Sequence, residues 1–455
     1  MKLFVALVCV SAAWGQAQNT AAPDAAALDQ LIAAALKESG APSVSVAVTE
    51  GHKIVYDKAF GAAQAGTRYA VGSISKEFTA ASLLWLEERG KLSLDDKVSK
   101  YFPELTRANE VTIRQLLSHT SGYEDYAPQD YIIPEWTQAT TPQAILNKWA
   151  KKPLDFEPGT RWQYSNTNYV LAGEIFEKVS GEKLLDFLRR TFFEPLQMTT
   201  ASDCGVKMAN DAEAYTRYAL GPPRVVKREG PGWYFAAGEL CMVAADLGRW
   251  DIAFLEKRIL SAKSYEEFTT EVKLADGSGT HYALGLQVND IAGVPAIYHG
   301  GEVSGFLAYN FIFPTKDASI TVLTNEDGVN LIGPLARRIA GSLFNLPPPP
   351  AEEKASEQEL SQMQGILKGL AKGRIDRGLF TSNANSYFSD VSLKDYKTSL
   401  AGLGKLVAVT RNNQQLRGGM THRGYTAQFA KKSVTLNVYV MPDGKIEQLL
   451  VEGGI

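Results

Sequence analysis

The stretch Val71-Gly72-Ser73-Ile74-Ser75-Lys76 opens an apolar-periodic run that continues to Glu87 and predicts a helix. Residues three apart on a helix share a face, so Lys76 would lie beside Ser73. A serine hydroxyl is a poor nucleophile at neutral pH and needs an adjacent base. Burial lowers the pKa of a lysine, which would let Lys76 serve as that base. A serine and a lysine at this spacing are common by chance, so the hypothesis depends on the rest of the chain.

Two later segments supply the missing parts of an acyl-transfer site. Tyr164-Ser165-Asn166 places a phenol and an amide on the same side of an extended segment, just before a predicted helix. His299-Gly300-Gly301 ends an apolar strand, and its glycines would let a substrate approach the backbone edge of that strand. With the helix N-terminus at Ser73, where negative charge is stabilised, these segments indicate nucleophilic catalysis.

The three segments, in this order, resemble the motifs of the serine β-lactamases and penicillin-binding proteins. Three further segments resemble the class C β-lactamase branch, which also holds D-alanyl-D-alanine carboxypeptidases, D-aminopeptidases and esterases: Leu117–Gly122, Phe156–Asn166 and Ala244–Leu247. The resemblance spans residues 25–346. It implies an α+β fold of the β-lactamase/transpeptidase type, with an antiparallel sheet flanked by helices.

The resemblance also implies a role for each matching residue. Ser73 would be the acylated nucleophile of a serine hydrolase. Lys76 and Tyr164 would be the proton-transfer pair, and Asn166 would contact the substrate amide or carbonyl.

The third motif departs from the Lys-Thr-Gly of β-lactamases. His299-Gly300-Gly301 stands there instead, as in peptidases and esterases of the branch, and would bind substrate. A histidine is a titratable donor rather than a permanent ammonium, which weakens the case for holding a β-lactam carboxylate. We therefore expect the pH profile of kcat/KM to show a limb near neutral pH. By the same mapping, the Glu302 backbone N–H would be the second oxyanion donor, while its acidic side chain would repel anionic substrates.

Periodicity along the chain independently predicts an α+β fold. A helix (Asp24–Ser39) and a hairpin (Pro42–Phe60) precede Ser73, and helices occupy the middle of the chain. Four strands follow, over Tyr282–Val288, Val294–Tyr298, Phe306–Phe313 and Ser319–Thr324, before a closing helix at Asn330–Phe344. The N-terminal hairpin and these later strands would form one sheet.

Four consecutive prolines, Pro347–Pro350, cannot continue a helix or a central strand and mark a linker over residues 347–359. Residues 360–455 show a helix followed by several strands, enough for a small independent α+β domain that resembles cystatin-like modules. The segment Arg417-Gly418-Gly419-Met420 has no reaction attached to it. We interpret the domain as a packing or binding module whose partner the sequence does not identify.

The N-terminus has the features of a signal peptide over residues 1–17, with Lys2 before the apolar run Leu3–Val10. We expect a secreted or periplasmic protein, without a transmembrane segment in the mature chain because no later apolar run is long enough. Export would permit a disulfide between Cys204 and Cys241, although both could equally remain free thiols.

Composition excludes several classes of function. The 455 residues carry a net charge of −3 and no basic block, so we predict no nucleic-acid partner. None of the five histidines forms a His-x-His or His-x-x-x-His pair, and we predict no metal or other cofactor. His119 and Glu239 are interpreted as structural. The sequence contains no Gly-x-Ser-x-Gly elbow, which argues against an α/β-hydrolase.

The leading hypothesis is an exported serine hydrolase that cleaves small esters, or amides and D-amino-acid peptides, through an acyl-enzyme on Ser73. β-Lactamase activity is one alternative. Another is a non-catalytic protein that keeps the fold and binds cell-wall fragments or short peptides. Turnover that disappears in Ser73→Ala would separate the enzyme from the binding protein.

Overall fold

The structure, a computed structural model, describes residues 24–291, 293–344, 346 and 355–454. The predicted signal peptide and residues 347–354 of the predicted linker lie outside these ranges. No helix in the described part of the chain is long and apolar enough to cross a bilayer.

Thirteen α-helices are present within the described ranges: α1 (Ala25–Ser39), α2 (Ser75–Glu88), α3 (Ile113–Leu117), α4 (Pro142–Trp149), α5 (Asn166–Ser180), α6 (Leu184–Leu188), α7 (Phe235–Gly238), α8 (Ala244–Leu255), α9 (Ala262–Thr269), α10 (Ile332–Phe344), α11 (Glu357–Leu370), α12 (Ser382–Tyr387) and α13 (Asp390–Gly402). The strands are β1 (Ser43–Glu50), β2 (Lys53–Gly61), β3 (Tyr69–Ala70), β4 (Ser202–Asp203), β5 (Tyr215–Thr216), β6 (Arg224–Val225), β7 (Leu240–Met242), β8 (Gln287–Ile291), β9 (Val294–Val303), β10 (Phe306–Phe313), β11 (Ala318–Thr324), β12 (Val329–Asn330), β13 (Leu406–Arg417), β14 (Met420–Phe429), β15 (Ser433–Val440) and β16 (Ile446–Gly454).

The main sheet has six antiparallel strands in the order β2-β1-β11-β10-β9-β8. Val46 on β1 pairs with Val322 on β11, and both lie in an apolar core shared with α1 and α10. Ala47 points to the opposite face and joins the core of the helical region. Strands β1 and β11 are therefore buried on both faces of the sheet. This arrangement confirms the predicted fold class of an antiparallel sheet flanked by helices.

Helix α2 runs through the middle of the helical region, and its side chains are buried from Ser75 to Leu84. Phe78 packs against Trp250 of α8 with ring centroids 4.2 Å apart. Cys204 and Cys241, whose pairing the sequence left open, form a disulfide beside the paired strands β4 and β7. These contacts fix the position from which α2 presents its N-terminus.

The C-terminal sheet has the order β12-β16-β15-β14-β13, with α11 and α13 packed on it around a separate apolar core. Strand β12 precedes the linker, yet Val329 pairs in parallel with Gly453 of β16. A second main-chain bridge joins Tyr164 to Arg417 at the end of β13. The C-terminal sheet is thus held against the first domain at two separate places.

The strand predicted over Tyr282–Val288 starts too early in the chain, because β8 begins only at Gln287. Gly285 adopts a φ of +76°, and a Cβ there would lie 2.9 Å from the Lys76 carbonyl oxygen. The chain therefore turns against α2 before it joins the sheet. Packing of the turn, rather than the apolar pattern, decides where the strand begins.

Candidate active site

Ser73 lies in a 3₁₀ turn, Gly72–Ile74, that leads directly into α2. Gly72 has a φ of +50°, and a Cβ on it would lie 2.7 Å from the backbone nitrogen of Glu302. A Cβ on Gly301 would lie 1.9 Å from the Val71 carbonyl oxygen and 3.2 Å from the Ser73 backbone nitrogen. The two glycines therefore allow β9 to lie directly beside the nucleophile turn.

Lys76 is fully buried, and its Nζ lies 2.9 Å from Ser73 Oγ. The same atom donates to Asn166 Oδ1 and to the Ala237 carbonyl oxygen, each at 2.8 Å. Burial holds the pKa of Lys76 well below its ordinary value, and the positive charge of Arg417 acts in the same direction. A neutral amine could donate to the two protein acceptors and direct its lone pair at Ser73.

Asn166 begins α5 and connects Lys76 to a buried carboxylate. Its Oδ1 accepts from Lys76, while its Nδ2 donates to Asp125 Oδ1 at 3.1 Å. The Asn166 backbone N–H also donates to Asp125 Oδ1, at 2.9 Å. The amide predicted to contact substrate therefore also links the Lys76 amine to Asp125.

Tyr164 lies on the other side of Lys76, whose Nζ is 4.9 Å from the centre of the phenol ring. Burial raises the pKa of Tyr164, and a hydrogen bond with Ser73 and the charge of Arg417 oppose that rise. His119 packs behind the ring at 4.2 Å and accepts from the Ser165 backbone N–H. His119 is fully buried, and the structural role predicted for it stays a prediction.

His299 lies at the cavity edge of β9 but differs from the titratable donor that the sequence predicts. Its Nε2 is 2.9 Å from the Tyr282 hydroxyl, and its Nδ1 is 2.5 Å from the Gly300 carbonyl oxygen. Burial lowers the pKa of His299 to about 3. A neutral ring donates from Nδ1 to the Gly300 carbonyl oxygen and accepts at Nε2 from the Tyr282 hydroxyl, so we expect a limb near neutral pH to come from another group.

The edge of β9 beyond Tyr298 faces the site. Strand β8 pairs with β9 only as far as Tyr298, so among the described strands none covers His299–Val303 on that side. The predicted oxyanion donors, the backbone nitrogens of Ser73 and Glu302, belong to the two segments that Gly72 and Gly301 bring together. The open edge leaves main-chain groups available to an extended substrate.

These groups line a cavity of about 790 Å³ between the two sheets. Five carboxyl side chains and two guanidinium groups reach it: Asp130, Glu229, Glu302, Asp327, Glu452, Arg337 and Arg417. Burial and mutual repulsion raise the pKa of Asp327 to about 7 and that of Glu452 to about 8. The pKa of Glu302 is also raised, although water reaches its exposed side chain and screens part of the effect. The cavity therefore has more acidic than basic side chains, and its negative charge grows as the pH rises through about 7 and about 8.

Sequence reasoning missed Asp125 and Arg417. Asp125 belongs to the loop 123–136, which contains several tyrosines, prolines and acidic residues but no recognisable catalytic motif. Arg417 ends β13, and its guanidinium carbon lies 5.5 Å from the centre of the Tyr164 ring. The Gly418-Gly419 pair signals a hairpin, but no local pattern shows which surface that hairpin contacts.

The fold and the groups around Ser73 define a protein of the serine hydrolase type found among β-lactamases and penicillin-binding proteins. The chain belongs to the Beta-lactamase family, whose family model matches residues 28–341. Among described residues, no cluster of three or more His, Cys, Asp or Glu side chains could hold a metal ion.

Comparisons with individual proteins agree with this assignment. The chain is 28% identical over 324 residues to the putative penicillin-binding protein PbpX of Bacillus subtilis (strain 168). This match covers 68% of this chain and 77% of the relative. It superposes on a D-stereospecific amidohydrolase from Streptomyces sp. with 30% identity and a TM-score of 0.62, over 71% of this chain and 99% of the other.

A third similarity extends into the C-terminal sheet. The octameric penicillin-binding protein homologue from Pyrococcus abyssi matches 94% of this chain and 98% of its own, with a TM-score of 0.63 and 22% identity. At this identity the likeness shows the fold alone. It shows that the combination of both sheets occurs in another protein.

Proposed function

We propose that this protein is an exported serine hydrolase that forms an acyl-enzyme on Ser73 and cleaves small esters, amides or D-amino-acid peptides. The observation that carries the proposal is the buried Lys76 amine, 2.9 Å from Ser73 Oγ and held by two further acceptors. An adjacent base within hydrogen-bond distance is what a serine nucleophile requires. Ser73 itself is partly exposed to the cavity, so a substrate can reach it.

In this mechanism Ser73 Oγ attacks the substrate carbonyl carbon while its proton passes to neutral Lys76. The resulting oxyanion lies between the backbone N–H groups of Ser73 and Glu302. Collapse breaks the bond to the leaving amine or alkoxide, which takes a proton from Lys76 or Tyr164. Water then attacks the acyl-enzyme by the reverse route and releases the acid and free Ser73.

The charge of the cavity supports substrates that carry an amino group. Once Asp327 and Glu452 lose their protons, near pH 7 and pH 8, the carboxyl side chains of the cavity would outnumber its two guanidinium groups, attract an ammonium and repel the carboxylate of a β-lactam. His299, which replaces the lysine of β-lactamases, is neutral and offers that carboxylate no charge. The D-stereospecific amidohydrolase similar to this chain supports an amide with a D-centre as the substrate class.

Two observations support export. The predicted signal peptide is one, and the Cys204–Cys241 disulfide is the other, since disulfides persist in oxidising compartments.

Labelling with a fluorophosphonate, followed by intact-protein mass spectrometry, tests the nucleophile. We expect one adduct on the wild-type protein and none on Ser73→Ala. Ser304→Ala is the matched control, because Ser304 lines the same cavity and should leave the labelling intact. Labelling that survives in Ser73→Ala would refute the proposal.

A substrate panel tests the specificity. D- and L-amino-acid amides, p-nitrophenyl acetate, D-Ala-D-Ala peptides and nitrocefin would be compared by kcat/KM. We expect the amino-acid amides and the acetate to exceed nitrocefin, and the preference for amides to weaken in Glu302→Gln. Nitrocefin as the best substrate would reverse the proposed order. Ligand binding without turnover of any compound would instead indicate a binding protein.

A further inference from the structure

The hairpin that joins β13 to β14 reaches from the C-terminal sheet into the active site. Its turn is Gly418-Gly419, with φ values of +56° and +72°, and Arg417 immediately precedes it. A Cβ on Gly418 would lie 2.4 Å from Pro128 Cβ. The tip therefore packs closely on the loop that carries Asp125, and the Arg417–Tyr164 main-chain bridge fixes its direction.

The Arg417 guanidinium is held by groups from both domains. Nη1 donates to Asp130 Oδ1 at 3.0 Å and to the Tyr439 hydroxyl at 2.6 Å. Nη2 donates to the Ala127 carbonyl oxygen at 3.4 Å, and Nε lies 3.9 Å from Asp125 Oδ2. Asp130 is fixed in turn, because its Oδ2 accepts from two side chains of the C-terminal sheet, Asn437 and Gln448. The arginine is therefore immobilised rather than free in the cavity.

We propose that Arg417 is a positioning residue for acyl transfer, through which the C-terminal sheet orders Tyr164 and the Asp125 loop and keeps a positive charge close to Tyr164 and the neutral Lys76 amine. The proposal rests on the proposed function of Ser73. It gives the C-terminal domain a part in catalysis, where the sequence had suggested only packing or binding.

The charges around Lys76 and Tyr164 explain how Arg417 acts. Titratable groups from several segments face Lys76 and Tyr164. They are Asp125 and Tyr126 of the 123–136 loop, His119 after α3, Tyr169 of α5, Tyr282 in the turn before β8, His299 of β9 and Arg417 of β13. Burial keeps both histidines neutral, so Asp125 and Arg417 are the charged members. Asp125 favours the ammonium of Lys76, whereas Arg417 favours its neutral amine and the Tyr164 phenolate.

The sign of the expected effect follows. Only neutral Lys76 accepts the Ser73 proton, so activity falls tenfold for each pH unit below the pKa of Lys76. Removal of the Arg417 charge raises that pKa, and the acidic limb moves to higher pH. Burial raises the pKa of Asp125 and Arg417 lowers it, so loss of the arginine also favours protonation of Asp125, which would oppose this effect. The backbone N–H groups of Asn166 and Ala127 donate to Asp125 Oδ1 and resist that protonation.

The test measures the rate constant of fluorophosphonate labelling from pH 5 to 10 in Arg417→Gln, which keeps polar contacts without the charge. We expect the acidic limb to move up by about one pH unit, with about tenfold slower labelling below it. Arg417→Lys should keep the position of the limb but label more slowly than wild type, because an ammonium lacks the fork that reaches Asp130 and Tyr439. Arg423→Gln is the matched control, since this arginine of β14 bonds Gln414 and lies near Glu359.

An unmoved limb in folded Arg417→Gln would overturn the proposal. If Arg417→Gln does not fold, the labelling rates of Arg417→Lys and Arg423→Lys would be compared instead. A wild-type labelling rate in Arg417→Lys would then overturn the proposal. Failure of the proposed function is distinguishable, because it shows as labelling that persists in Ser73→Ala. Labelling that requires Ser73 but is unchanged by substitution of Arg417 would contradict only the proposal for Arg417 and would leave the proposed function of Ser73 standing.

Discussion

Among single residues, Lys76 combines complete burial with three hydrogen-bond partners, so its replacement should separate catalysis from stability. Lys76→Met removes the proposed base, and we expect kcat/KM to fall by about 10²–10⁴-fold. The melting temperature should hold or rise, because burial forces Lys76 to give up its proton on folding, a free-energy cost that methionine does not carry. Lys91→Met, at an exposed position just after α2, is the control. Activity within tenfold of wild type would argue against Lys76 as the base.

His299 provides a second test at this scale. Its pKa of about 3 lies below the working range, so the ring stays neutral from pH 5 to 9. We expect His299→Gln to keep the position of every limb in kcat/KM, since glutamine can also donate to Gly300 and accept from Tyr282. His281→Gln, an exposed histidine lining the cavity, serves as the comparison. Loss of a limb near neutral pH only in His299→Gln would restore the role that the sequence suggests.

At the scale of elements, strand-like runs rich in apolar residues predicted two strands of the main sheet well. The predicted strands Phe306–Phe313 and Ser319–Thr324 match β10 and β11 to within one residue. The apolar pattern of β13 ends at Thr410, whereas the strand continues to Arg417. Residues 411–417 are mostly polar, and pairing with β14 through the glycine turn extends the strand without an apolar pattern.

The glycine turn of β13–β14 allows a matched comparison with the turn of β15–β16. Gly418 and Gly444 both have positive φ, so alanine at either strains the backbone by about 1–2 kcal/mol. A Cβ at Gly418 meets Pro128 at 2.4 Å, whereas nothing lies within 4 Å of one at Gly444. We therefore expect Gly418→Ala to lower kcat/KM by displacing Arg417, and Gly444→Ala to keep it. Equal activity of the two variants would contradict a coupling between this hairpin and the site.

At the scale of the whole molecule, buried carboxyl groups make stability depend on pH. Asp251 is fully buried between α8 and the main sheet, where it accepts from Asn310, and burial raises its pKa to about 7. The folded chain then holds a proton that the unfolded chain, with a carboxyl pKa near about 4, releases. This contribution to stability is complete below the unfolded pKa and is lost as pH rises through about 7.

We expect the melting temperature to fall between pH 5 and pH 8, with Asp327 and Glu452 acting in the same direction as Asp251. Asp251→Asn should flatten this dependence, because the amide does not titrate. Circular dichroism melts at each pH would measure it, with exposed Glu266→Gln as the control. A steeper dependence in Asp251→Asn than in wild type would contradict the assignment.

The sequence by itself determined the order of the three motifs and the placement of Ser73 beside Lys76, because residues three apart on a helix share a face. Only the tertiary structure decided that His299 is neutral, that Asp125 anchors Asn166, and that Arg417 reaches Tyr164 from the other sheet. The physical reason is that a pKa depends on burial and on every nearby charge. Those neighbours come from segments far apart in the chain, and their packing leaves no local pattern.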